Sequence, residues 1–175
     1  LDFINKVSSI INVQKSALIV DHVTYNTTNE TFDTDIFTAE YTRGNFAKAY
    51  RAKHAIQDYV FTDGTAEKSV ERKFVEELDT ADEVVVYAKL PRGFYIPTPV
   101  GKYSPDWAIA FKKGVVKHIF FVAETKGTLQ SMELRAIEKA KISCAEKLFE
   151  KLSNGEVHYG QVKDYKSLMD IVLDK

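Results

Sequence analysis

The residues of this 175-residue chain best suited to chemistry are Asp106, Glu124 and Lys126. Asp106 opens an apolar stretch, DWAIAF, and a second one, HIFFVAET, ends in Glu124 and Thr125 with Lys126 directly after. Side chains two apart on a strand share a face, so Glu124 and Lys126 project together and Thr125 points to the opposite face. If the two stretches pair as an antiparallel hairpin around Lys112-Lys113-Gly114, Asp106 returns beside Glu124, and two carboxylates and one ammonium share the open end. Pro105 holds the chain extended there and removes one backbone donor. Three chemistries fit such a patch. One is a solvated salt bridge between Lys126 and either acid. A second is a site for a hard divalent cation, which prefers oxygen ligands and keeps several waters. The third is a carboxylate pair for glycoside hydrolysis, which leaves the lysine without a task. Around Mg²⁺ the lysine has one: to stabilise an activated water or the charge building on a phosphate.

A strand pair cannot hold such groups unless other elements fix it. Glu67 to Asp79 (EKSVERKFVEELD) sets Val70, Phe74, Val75 and Leu78 on one arc at about 100° per residue, which predicts a helix. Glu71 falls inside that arc, where an acid needs a cation; Arg72, Lys73, Glu76 and Asp79 point elsewhere. Glu83 to Ala88 (EVVVYA) is a β-branched strand. Pro91 to Gly101, with three prolines and two glycines, is an extended connection. Ser131 to Leu152 is a long helix with Leu134, Ile137, Cys144, Ala145, Leu148 and Leu152 inward, Glu138 and Lys141 on the same arc, and Gly155 as its stop. Glu156 to Val162 alternates like a strand. The order from Glu67 is α-β-β-β-α-β, an α/β class with a mixed sheet flanked by helices. Upstream, Ala17 to Val20 is strand-like and Phe46 to Tyr59 has helical character. We divide the chain into an N-terminal region, 1–62, that packs on or extends a core at 63–175.

Composition narrows the function classes. With 45% hydrophobic and 28% charged residues the chain is a folded domain. No apolar run is long enough for a membrane span. A single cysteine, Cys144, excludes a disulfide framework and predicts a cytoplasmic protein with a buried, inert thiol. His22, His54, His118 and His158 have no ligand spacing, which disfavours zinc. The absence of GxxxxGK[ST] excludes a P-loop. Net charge is −1, but its distribution is uneven: residues 84–152 carry 12 Lys and Arg against 6 Asp and Glu, and residues 1–83 carry 9 against 15. A phosphate-binding surface and an ordinary solvated face both fit the basic half. Lys102, Lys112, Lys113, Lys117 and Lys139 are its candidate phosphate contacts. Tyr87, Phe94, Tyr95, Tyr103 and Trp107 sit nearby and are expected mostly in the core.

Pro105-Asp106, an 18-residue interval and Glu124-Thr125-Lys126 resemble the PD-(D/E)XK nuclease motif, with Glu71 in the place of that superfamily's helix glutamate. The phrases VERKFVEEL, YAKLPRGFYIPTPVGKYSPDWAIAF, FVAETKG and LRAIEKAKISCAEKLFEKL narrow the resemblance to the C-terminal endonuclease domain of the type III restriction subunit. It is strongest over 63–152. It implies a restriction-endonuclease-like fold and Mg²⁺-dependent hydrolysis of double-stranded DNA, with Mn²⁺ able to substitute. Asp106 and Glu124 are then metal ligands, with the Thr125 carbonyl as a further one and Glu71 acting directly or through water. Lys126 orients or activates the water. Lys141 is a candidate contact to the scissile phosphate, and Glu138 its partner or that of Arg135. The implied partners are a modification (methyltransferase) subunit and an upstream helicase-like motor, which would be where ATP acts. The chain, opening on Leu1, is expected to be a fragment. A repair or junction nuclease of the same superfamily, and a non-catalytic DNA-binding or docking module, are the competing classes; the intact Asp106, Glu124 and Lys126 favour the enzyme.

Overall fold

A computed structural model describes residues 2–26, 28, 33, 35, 48–64, 69–91, 93–115, 120–125, 132–152 and 157–173. Its centre is a four-stranded mixed sheet in the order β3 (Val84–Lys89), β6 (Trp107–Phe111), β7 (Phe120–Thr125), β8 (Val157–Val162). The first three strands pair antiparallel, and β8 joins β7 in parallel after the crossover helix α3 (Met132–Leu152). Both pairing modes occur in one sheet because a hairpin can return directly, whereas a parallel neighbour needs a long crossover.

Each face of the sheet is covered for a legible reason. Helix α2 (Val70–Thr80) is capped by Ser69, whose hydroxyl accepts from the Arg72 amide, and it buries Phe74, Val75 and Leu78 against Val84, Tyr87, Trp107, Ile109 and Phe111. Helix α4 (Tyr165–Val172) closes the same core with Leu168 and Val172. On the other face, α3 places Ile142, Ala145 and Phe149 against Tyr159 of β8 and against Ile96 and Tyr103 of a small hairpin. That hairpin, β4 (Ile96–Thr98) with β5 (Gly101–Tyr103), turns through Pro99 and Val100 into Gly101, whose φ of 114° is one that L side chains rarely adopt.

Helix α1 (Asp2–His22) leans on α3, with Val20 in a small cluster beside Ala140 and Cys144. Lys147 of α3 donates to the carbonyls of Val20 and Asp21, and Lys151 donates to that of Tyr25, so two cations satisfy the end of α1 and the chain leaving it. Two short paired strands, β1 (Ala49–Arg51) and β2 (Tyr59–Phe61), flank a loop that attaches to the outer edge of β3. There the Ile56 amide donates to the Tyr87 carbonyl at 2.9 Å and the Tyr87 amide to the His54 carbonyl at 3.0 Å.

The α/β class and the elements at 84–88, 107–111 and 132–152 agree with the sequence. Five readings do not. Ala17–Val20 lies in α1, not a strand, and Phe46–Tyr59 contains β1 and part of β2, not a helix. Pro91–Gly101 is not a plain connection, since it runs into β4 and β5. Val70, at 49% exposure, begins α2 before the helix meets the core, and Asp79, at 4%, is buried at its other end. Helix α4 follows β8 where the sequence reading stopped. Of the arc expected on α3, Cys144 and Ala145 are buried and Ile137 and Leu148 half-buried. The side chains of Leu134 and Leu152, and Gly155, lie outside the described residues.

Candidate active site

Strand β6 runs antiparallel to β7 with Trp107 opposite Ala123, so the next step of the register sets Asp106 beside Glu124 at the end of the pair. The Asp106 carboxylate is fixed there. Its Oδ2 accepts from the Thr125 amide at 2.7 Å and from the Thr125 hydroxyl at 2.5 Å, while the Trp107 indole N–H reaches the same hydroxyl at 3.4 Å. The Thr125 side chain therefore reaches the Asp106 carboxylate, which the alternation argument alone sends to the opposite face. Among the described residues Oδ1 of Asp106 accepts no hydrogen bond.

Glu71 comes to this end of the sheet from the first turn of α2. Its cation is Lys89, whose Nζ donates to Oε2 at 2.9 Å and Oε1 at 3.1 Å, and the Asp63 amide donates to Oε2 at 2.9 Å. Lys89 is the last residue of β3 and faces Trp107 in the register, one position from Asp106. The Leu90 amide donates to the Asp106 carbonyl at 2.8 Å, tying the two chain segments together. The sequence reading passed over Lys89. Its signal was the same one that marked Lys126: a cation at the end of an otherwise apolar strand.

The remaining predicted residues divide. Glu124 holds its place on β7 opposite Gln161 of β8, but its side chain lies outside the described residues, as do Lys126 and Lys117 entirely. Lys141 pairs with Glu138 at 3.8 Å and lies against the β4–β5 hairpin, its Cε 4.0 Å from where a side chain on Gly101 would begin. Lys102 sits over the Tyr95 ring at 3.7 Å. Lys112, Lys113 and Lys139 are exposed. Tyr87, Tyr103 and Trp107 are core residues, and Phe94 and Tyr95 are half-buried. With Lys89, Lys147 and Lys151 held by protein acceptors, a good part of the positive charge in 84–152 is committed internally. Among the described residues no three His, Cys, Asp or Glu gather as a metal cluster, and no helix is long and apolar enough to cross a membrane.

Asp106 is thus held at the end of a strand pair, beside the backbone position of a second acid, and the helix glutamate Glu71 carries its own lysine. The chain belongs to the endonuclease-domain family, whose model matches residues 53–165. It is 33% identical over 104 residues to the Type III restriction-modification enzyme EcoP15I Res subunit of Escherichia coli. It is 32% identical over 104 residues to the EcoPI Res subunit of Escherichia phage P1. In each case the match covers 58% of this chain and 11% of the relative, so the chain spans a small part of either protein's length. No solved structure matches it.

Proposed function

We propose that this chain is the cleavage module of a type III restriction enzyme, a Mg²⁺-dependent endonuclease with a restriction-endonuclease-like core that hydrolyses phosphodiester bonds of double-stranded DNA. The observation that carries this reading is Asp106. Its Oδ2 is anchored by Thr125 and, among the described residues, its Oδ1 accepts no hydrogen bond, at the position where β7 supplies Glu124. The donor set is all oxygen, which fits a hard cation: Asp106 and Glu124 would hold it, with the Thr125 carbonyl as a further ligand. When bound, such a cation supplies Lewis-acid stabilisation of charge on the phosphate.

The protein's own groups do the rest. The Thr125 amide and hydroxyl hold the Asp106 carboxylate in one orientation. Lys126, next after Thr125, orients the attacking water. Lys141 and the exposed Lys112 and Lys113 meet phosphates, and Lys102 joins them from the Tyr95 ring. A modification subunit and a helicase-like motor, where ATP acts, complete the enzyme in the cytoplasm.

The test is Asp106→Asn in the full-length restriction complex. Loss of a cation ligand removes several kcal/mol of transition-state stabilisation, so cleavage falls at least about 100-fold while ATP hydrolysis and melting temperature hold. Cleavage at the wild-type rate refutes the assignment.

A further inference from the structure

Helix α1 is nearly bare. Of its residues whose burial is described, Val20 alone is buried, where it meets α3, and positions 2–8, 10 and 11 are exposed. At about 100° per residue, Phe3, Ile4, Val7, Ile10, Ile11 and Leu18 fall on one arc roughly 120° wide, across the helix from Val20. Their exposure runs from 37% at Val7 to 79% at Phe3. Between Phe3 and Leu18 the arc's one polar residue is Gln14, which is uncharged, and Lys6 and Lys15 border it on either side. The helix therefore has two apolar sides, and α3 takes only one of them. A helix whose first three turns stand exposed is marginal in water by itself, and packing of its apolar stripe is what stabilises it.

The area and the pattern of the stripe select its occupant. Taken as those fractions of fully exposed side chains, the six residues carry on the order of 700 Å² of apolar surface. The largest apolar patch on a typical monomer is about 300–600 Å². One side of a standard protein–protein interface is about 800 Å². The stripe is also close to symmetric along its length, since Ile4, Ile11 and Leu18 lie seven apart. Two such helices packed antiparallel about Ile11 set this residue on its own counterpart, and Ile4 of one copy on Leu18 of the other. In that register Lys6 falls opposite Ser16 and Lys15 opposite Val7, so no two lysines meet. An uncharged stripe has nothing by which to select a charged partner, and its symmetry is what a twofold contact of one patch with itself requires. We propose that α1 is a homodimer surface, on which a second copy of this chain seats its own Phe3–Leu18 face in antiparallel. This goes beyond the cleavage reading and does not rest on it.

Sedimentation equilibrium of the 175-residue chain from about 1 to 200 µM tests the proposal directly. A species of twice the chain mass forms, with a dissociation constant of about 10 µM or tighter. Ile11→Lys opposes two ammonium groups at the centre of the contact and weakens the dimer at least about 100-fold. Asn5→Lys, off the arc, leaves the constant within about twofold of wild type. Mixing Ile11→Lys with Ile11→Glu restores a dimer holding one of each, which native mass spectrometry reads. Should Ile11→Lys fail to fold, the wild-type concentration series and Leu18→Lys, expected to act in the same way, decide. A chain monomeric throughout has this face covered by another segment or protein, and that result overturns the proposal. So does a dimer unmoved by Ile11→Lys, an assembly larger than two, or a Lys and Glu mixture that stays monomeric.

Discussion

Replacing Asp79 by alanine removes the acceptor on which four groups converge. Its carboxylate, 4% exposed, takes the amides of Lys53 and His54 at 2.8 Å and the hydroxyls of Tyr50 and Tyr87 at 3.2 Å. Among the described residues no ion pair supports it, and these donors are what keeps a buried anion tolerable. Each donor left unmet in the interior costs about 1–3 kcal/mol. Water can reach the half-exposed 53–54 segment, so we take the low end and expect a total near 3 kcal/mol. For a domain of this size that lowers the melting temperature by roughly 6–12 °C. Asp79→Asn, which keeps one acceptor but turns an N–H₂ toward donors, falls between. Exposed Asp82→Ala is the control, with a change under about 0.5 kcal/mol. Acid titration adds a second arm. Burial pushes the Asp79 carboxyl up, but the His54 and Lys53 amides and the Tyr87 and Tyr50 hydroxyls outweigh it and hold it below the ordinary 3.8. A depressed folded value means the contribution is complete above the unfolded pKa and is lost as pH falls through the folded one, below about pH 4. Thermal melts from pH 7 down to 2.5 therefore converge for wild type and Asp79→Asn. If Asp79→Ala melts within 2 °C of wild type at pH 7, the convergence of donors carries no stability and the reasoning is wrong.

Trp107→Ala empties a fully buried site packed edge-on against Phe74 at 5.8 Å, and urea unfolding should show a loss of about 3–5 kcal/mol. A loss below 1.5 kcal/mol would mean that the core collapses around it. Lys112→Ala with Lys113→Ala should weaken DNA binding equally for all sequences and flatten its salt dependence by roughly one unit per contact. An unchanged slope in titrations at several salt concentrations would mean that this turn faces away from DNA. Cys144 is fully buried, and burial pushes its thiol up, so a disulfide reagent at pH 8 should label it only as fast as the chain opens. Rapid labelling of folded protein would contradict that packing.

The chain announces its core where burial is periodic and local. Phe74, Val75 and Leu78 repeat at helical spacing, Trp107, Ile109 and Phe111 at strand spacing, and both patterns survive into the structure. Asp106 was legible because an acid at the edge of an apolar strand is physically out of place. Glu71 was legible for the same reason on a helix, though its partner was not: Lys89 is 18 residues away, and only the fold brings it back. Distance in sequence also hid Asp79, whose donors lie at positions 50–54 and 87. The strands at 49–51 and 59–61 are three residues each and owe their shape to that anchorage, so local pattern had little to report. In α1, apolar residues occupy more than one side: Val20 packs inward, while Phe3, Ile4, Ile10 and Leu18 are exposed. A single apolar arc was therefore not visible, and the β-branched run at 19–20 looked like a strand. Helix α4 was readable but short; Asp164 and Ser167 form a capping box just before Leu168.

The bonds from residues 50–54 to Asp79 bear on how this domain could be inherited or transplanted. A proteolytic nick near residue 62 leaves β2 on the far side of the cut, and with it Val60, a fully buried core residue, and every amide that Asp79 holds. A fragment starting at 63 would leave Asp79, at the C-terminal end of α2, with only the Tyr87 hydroxyl of its four donors, and the edge of β3 bare. The portable unit, the piece that recombination could graft onto another protein and still fold, accordingly begins upstream of Ala49 and travels with its own N-terminal strap.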